Sequence, residues 1–74
     1  MKNITGESRY VWRNLDLIEP RLCRCTITGE ESDYLYGYTE NNVVDGTIRV
    51  GLALPEQLFN TKEEAYNYLE VLND

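Results

Sequence analysis

Arg21-Leu22-Cys23-Arg24-Cys25-Thr26-Ile27-Thr28, then Gly29-Glu30-Glu31-Ser32, then Asp33-Tyr34-Leu35-Tyr36-Gly37-Tyr38-Thr39, is the stretch that decides the fold. In the first segment Cys23, Cys25 and Ile27 fall on one face of an extended chain, and Leu22, Arg24, Thr26 and Thr28 on the other. A strict two-residue period of this kind marks a half-buried strand. Residues 29–32 are turn formers, and residues 33–39 alternate again. The two runs therefore read as a β-hairpin.

Downstream, Asn41-Asn42 and Asp45-Gly46 mark a second turn, and residues 47–54 form the clearest strand of the chain. Ile48, Val50, Leu52 and Leu54 share one of its faces, opposite Thr47, Arg49, Gly51 and Ala53. Pro55 stops the strand and opens one short helical turn over residues 55–59. Thr61-Lys62-Glu63-Glu64 has the form of a capping box, and Ala65, Tyr68, Leu69 and Leu72 recur at helical spacing. The expected helix lies across the sheet face that carries Ile48, Val50, Leu52 and Leu54. Upstream, Tyr10 and Trp12 alternate, but the phase slips around Arg13-Asn14, so residues 9–18 read as a short strand with a bulge or bend, ended by Pro20. The expectation is a single α+β domain over residues 1–74, a small three- to four-stranded antiparallel sheet with a C-terminal helix packed on one face.

Composition narrows the function. The 74 residues hold 13 Asp and Glu against 7 Lys and Arg, a net charge of -6, with no histidine. Ser-His-Asp and Cys-His catalysis and imidazole metal ligands are thereby excluded. Ser8 and Ser32 have no base, no glycine loop cradles phosphate, and Glu30-Glu31-Ser32-Asp33 lacks the spacing of a calcium loop. No enzyme, cofactor or metal is expected. Cys23 and Cys25, one residue apart, suit two small buried groups better than a strained disulfide. Nothing approaches the ~20 apolar residues of a membrane helix, and residues 1–7 have no apolar core of a secretion signal. A cytoplasmic protein with no membrane association is expected.

The charge is uneven. Residues 1–24 carry five basic against three acidic residues, and residues 25–74 carry two against ten. The acidic part coincides with Tyr34, Tyr36 and Tyr38, which line one face of the second hairpin strand. Tyrosine combines broad apolar area with an orienting hydroxyl, so an exposed tyrosine face is an anchor for a partner. The alternative is that these rings pack under the helix. With the face at least partly exposed, the candidate site is Tyr34, Tyr36 and Tyr38 as anchors, with Glu30, Glu31, Asp33, Glu40 and Asp45 as a charged rim. Leu35 and Gly37 then leave the opposite face small enough for a helix to approach. Arg9, Arg13, Arg21 and Arg24, with Trp12, could contact a phosphate or an acidic partner, but read better as neutralising the acids of the rest of the chain, within one copy or across a dimer.

The strand at residues 47–54 running into Phe59-Asn60-Thr61-Lys62-Glu63-Glu64-Ala65 resembles an ending common among small proteins of phages and mobile elements. With its size, acidity and tyrosine-rich strand, the whole chain looks like phage-encoded counter-defence proteins of the anti-CRISPR or anti-restriction kind. That resemblance implies stoichiometric inhibition, an acidic patch occupying the basic nucleic-acid-binding surface of a host defence complex such as a CRISPR effector or nuclease. Seven basic residues, five of them near the start, depart from pure DNA mimicry. The expected function is thus a small acidic protein-binding inhibitor or modulator. The alternatives are an assembly module that forms a homodimer through its tyrosine strand, and a small regulator that binds nucleic acid through its arginine-bearing first third.

Overall fold

A computed structural model describes residues 2–13 and 19–72. Four strands, β1 (Ser8–Arg13), β2 (Arg21–Glu30), β3 (Tyr36–Asn41) and β4 (Ile48–Ala53), form one antiparallel sheet in the order β1-β2-β3-β4. A 3-10 turn (Pro55–Gln57) and a single helix, α1 (Lys62–Leu72), follow. The fold is the α+β meander expected from the hairpin pattern. Of the bent strand anticipated over residues 9–18, the first part is β1, and residues 14–18 lie outside the described residues.

The turn between β2 and β3 is longer on its β3 side than the alternation suggests. β2 extends through Gly29 to Glu30, with a bulge between Ile27 and Gly29, and β3 begins only at Tyr36. The Glu31 and Ser32 amides both donate to the Leu35 carbonyl, which folds residues 31–35 into a turn and lifts Tyr34 out of the strand. A bulge of this kind adds twist and bends the strand toward one face.

Register decides which face is the core. Ile27 stands opposite Tyr38, Cys25 opposite Glu40, Tyr36 opposite Ala53 and Tyr38 opposite Gly51. Ile4, Val11, Cys25, Ile27 and Tyr36 are buried together, with Cys23, Tyr38 and Leu58 packed against them. The Tyr36 hydroxyl donates to the Lys2 carbonyl, which closes the N-terminal segment over the core. Residues 6 and 7 are tied down in turn by Gly6 N–H to Ile27 O (2.8 Å) and Ile27 N–H to Glu7 O (3.0 Å). After β4 the chain crosses to the far edge of the sheet, where Tyr10 and Phe59 exchange two backbone hydrogen bonds of 2.8 Å each. That crossing covers the inner face with Leu58 and protects the edge of β1.

Two expectations are corrected. The helix does not lie across Ile48, Val50, Leu52 and Leu54. It seats on β1, where Trp12 Nε1–H donates to the Ala65 carbonyl (2.9 Å) and the Trp12 and Tyr66 rings meet edge to face at 5.5 Å. Ile48, Val50 and Leu52 are 67, 82 and 59% exposed. The tyrosine strand, in turn, faces inward at Tyr36 and Tyr38 rather than outward. The reason is steric: the face of β4 opposite its apolar row carries Gly51 and Ala53, which leave room for the two rings. A Cβ on Gly51 would stand 2.5 Å from Tyr38 Cζ. The large tyrosines and the small β4 residues complement each other, and this outcompetes burial of the aliphatic row. Nor does a helix approach the face of Leu35 and Gly37, since the Glu31 and Thr28 side chains cover Gly37.

The capping box forms with one change. Thr61 Oγ1 accepts from the Glu64 amide (3.1 Å), and the Glu64 carboxylate reaches back to the Asn60 amide (3.0 Å), one residue before the cap. Of the expected apolar helix face, Ala65 is fully buried and Leu69 half-buried, while Tyr68 lies against Phe59 at 5.2 Å. No described helix is long and apolar enough to cross a membrane.

Replacing Gly51 with Val drives a side chain into the Tyr38 ring, and the expected cost is about 1–3 kcal/mol in equilibrium urea unfolding. An unchanged unfolding free energy contradicts the inward placement of Tyr38.

Candidate functional site

The sequence-derived site residues do not share one surface. Tyr34 is 64% exposed and sits with Glu30, Glu31 and Asp33, all exposed, in and beside the turn between β2 and β3. Asp45 is also exposed but lies in the turn between β3 and β4, at the opposite end of β3. Tyr36 is 4% exposed and Tyr38 half-buried, so both are core anchors and not partner anchors. Glu40 is buried as well. Four of the eight residues therefore form a local cluster, the exposed tip at Glu30, Glu31, Asp33 and Tyr34.

Sequence reasoning placed in the core the residues that extend this tip into a surface. Glu31 folds back over Gly37, its Oε1 2.7 Å from where a Cβ on that glycine would stand. It thereby lines a shallow groove on the outer face together with Thr28, Thr39, Val50 and Leu52. Ile48 continues the aliphatic row, and Val43 and Val44 in the adjoining turn are also largely exposed. β4 is an edge strand, so the row borders a line of backbone groups with no strand neighbour among the described residues. The Asn42 amide donates to the Thr47 carbonyl (2.9 Å), which fixes the phase of the ladder. By alternation, Arg49, Gly51 and Ala53 direct their backbone toward β3, and Ile48, Val50 and Leu52 direct theirs outward. A signal for this was present in the sequence: Gly51 opposite the aliphatic row is the mark of a close approach by a large neighbour.

Within the core, the buried Glu40 carboxylate accepts from Arg13 at 2.7 Å, the contact that makes its burial tolerable. A second ion pair, Arg9 with Glu7 (2.9 Å), is local and partly exposed. Of the four N-terminal arginines expected to neutralise the acids of the rest of the chain, Arg13 does so at Glu40, Arg9 pairs with Glu7 within its own segment, and Arg21 and Arg24 form no ion pair among the described residues. Glu40 also acts on its neighbours. Burial, reinforced by the Glu40 charge, pushes the Cys25 thiol up to about 11 and raises Cys23 and the Tyr38 hydroxyl in the same direction. Both cysteines are free thiols, and Cys25 lies in the core as the alternation anticipates. At the far turn, the Thr47 hydroxyl and amide both donate to Asp45 Oδ1 (2.6 and 2.9 Å) and hold its carboxyl below the usual range.

Compared with protein-family models, curated proteins and solved structures, the chain shows no match to any of them.

Two outcomes follow from the Arg13–Glu40 contact and its surroundings. Arg13→Leu leaves a buried carboxylate without its cation and is expected to cost about 2–4 kcal/mol in urea unfolding, whereas Arg9→Leu costs under ~1 kcal/mol. Equal costs contradict the assignment of Glu40 as a buried pair. Because the folded chain holds the Cys25 proton more tightly than the unfolded chain does, stability is retained below pH ~9 and falls as pH rises toward about 11. A flat unfolding midpoint over that interval contradicts the burial of Cys25.

Proposed function

We propose that this chain is a small, non-enzymatic, protein-binding inhibitor or modulator that occludes a basic surface of its partner. The observation that carries the reading is the exposed row Ile48, Val50 and Leu52 adjoining Glu31 and the acidic tip. Exposed large aliphatic side chains in a row, rimmed by charge, mark a contact surface. The row supplies apolar area to exclude water. Glu30, Glu31 and Asp33 supply long-range attraction to a cationic partner, which raises the association rate and fixes orientation. Of Tyr34, Tyr36 and Tyr38, it is Tyr34, in the turn before β3, that is exposed to act as an anchor. The net charge of -6 favours a partner whose own surface is basic, such as a nucleic-acid enzyme. A host defence complex, either a CRISPR effector or a nuclease, is the partner class implied by the resemblance to counter-defence proteins, with the chain acting in the cytoplasm. Binding follows from surface complementarity, so inhibition is stoichiometric and no bond is made or broken.

One observation favours the second reading, a homodimeric assembly module, with the seam at β4 and not at the tyrosine strand, which lies between β2 and β4 with Tyr36 and Tyr38 turned inward. The edge of β4 has no strand neighbour among the described residues, and its outward row is symmetric about Val50, so an antiparallel copy would set Ile48 against Leu52 and Val50 against Val50. Sedimentation over a concentration series separates the two readings.

The direct test uses Val50→Asp combined with Glu31→Lys as bait beside the unchanged chain. We expect the unchanged chain to retain a nucleic-acid-binding enzyme from host lysate and to displace that enzyme's nucleic acid when titrated against it at low salt. The double variant is expected to lose both effects by at least about tenfold while keeping its unfolding midpoint, since the substituted positions are exposed. Retention and displacement that survive in the double variant, or recovery of the chain's own copies alone, would overturn the inhibitor reading.

A further inference from the structure

Four of the chain's five arginines converge on one cleft, although the chain as a whole is acidic. The cleft has a volume of about 330 Å³ and opens where β2 and the turn after β3 diverge. The β2–β3 ladder stops at Cys25 opposite Glu40, while β2 continues back to Arg21 with only β1 beside it among the described residues. The turn at residues 42–47 then forms the other wall. Arg13 and Arg21 stand directly opposite each other across β1 and β2, and Arg49 stands opposite Glu40 across β3 and β4. Like charges placed directly across a ladder destabilise it.

Glu40 compensates Arg13 alone, at 2.7 Å. The other carboxylate in the lining, Asp45, is engaged by Thr47. Among the described residues no ion pair is formed by Arg21, Arg24 or Arg49. Arg21 and Arg49 thus stand, with no ion pair of their own among the described residues, on the walls of a space large enough for a ligand. A compact anion in that space would offset the mutual repulsion of the guanidinium groups. Guanidinium forks match the oxygens of a phosphate in paired hydrogen bonds, and several forks around one group favour a dianion over a single carboxylate.

We propose that this cleft binds the phosphate group of a small ligand, of the size of a mononucleotide. Arg21 and Arg49 hold the phosphate from the two walls, and Arg13 remains with Glu40. A volume near the lower end of the ~300–1,000 Å³ range of small-ligand sites suits one phosphate with one ring system. Leu22 and Val43 offer the apolar contact for such a ring, and the Asn41 and Asn42 side chains offer amide groups. A longer nucleic acid is disfavoured, because phosphates beyond the cleft would meet a surface of net negative charge. The cleft lies at the opposite end of β3 from the acidic tip, so the two surfaces operate independently.

The test is an NMR titration of the full chain with three probes: inorganic phosphate, adenosine 5′-monophosphate and adenosine. Saturable shifts are expected for amides at residues 21–24 and 42–49 with both phosphate-bearing probes and not with adenosine. Tighter binding of the nucleotide assigns the source as a phosphate ester, and equal binding assigns it as free phosphate. Arg21→Gln and Arg49→Gln, both at exposed positions, are expected to weaken binding about tenfold each while leaving the unfolding midpoint unchanged. No saturable shift up to ~10 mM phosphate, affinity unaltered in both variants, or a single-stranded oligonucleotide binding more tightly than the mononucleotide would overturn the proposal.

Discussion

The fit of the Tyr38 ring over Gly51 is the constraint on which the rest of the molecule depends. Two strands can present either face to a core, and here the choice is made by volume: β3 carries the large side chains inward, and β4 answers with Gly51 and Ala53. Once the tyrosines are inside, Ile48, Val50 and Leu52 must be outside, because successive side chains of a strand point to opposite faces. The same choice brings Glu40 into the interior, where only Arg13 makes it tolerable. It also sets the environment of Cys25, whose thiol is held protonated by burial and by the neighbouring carboxylate. One steric decision therefore fixes the core, the buried ion pair and the exposed apolar row together.

The edges of the sheet are treated unequally. β1 is covered by the two hydrogen bonds exchanged between Tyr10 and Phe59 and by the helix resting on Trp12. β4 has no such cover among the described residues. With extents of 33 × 32 × 19 Å the body is flat, and a thin core leaves a large share of its apolar side chains at the surface. An uncovered edge carrying an aliphatic row is a liability unless it is used. In the proposed function that edge, next to the acidic tip, is the contact surface.

Much of this was legible in the sequence. Alternation at Cys23, Cys25 and Ile27 identified both the strand and its buried face, and the Thr61–Glu64 pattern identified the helix start. The turn acids Glu30, Glu31 and Asp33 with Tyr34 are where an exposed site was expected. What pattern alone could not resolve was facing. The rows Tyr36 and Tyr38 on β3 and Ile48, Val50 and Leu52 on β4 are each regular, and either satisfies the period of a strand. Periodicity gives the strand but not which side turns in, and hydrophobicity favoured the aliphatic row. The cross-strand pairing of Tyr38 with Gly51 settles the matter, and it depends on register, a property of two strands at once. The arginine cleft was hidden in part for the same reason: Arg13 and Arg21 were grouped by their place in the chain, but Arg49 is far from them in the chain and joins them only through the ladder.

The inward facing of the tyrosines and the outward facing of the aliphatic row are read out most directly by hydroxyl-radical footprinting at a dilution where the chain is monomeric, followed by mass spectrometry. Fast modification is expected at Ile48, Val50, Leu52 and Tyr34, with Tyr36 protected until the chain unfolds. Protection of the aliphatic row together with rapid modification of Tyr36 in the folded monomer would contradict that arrangement.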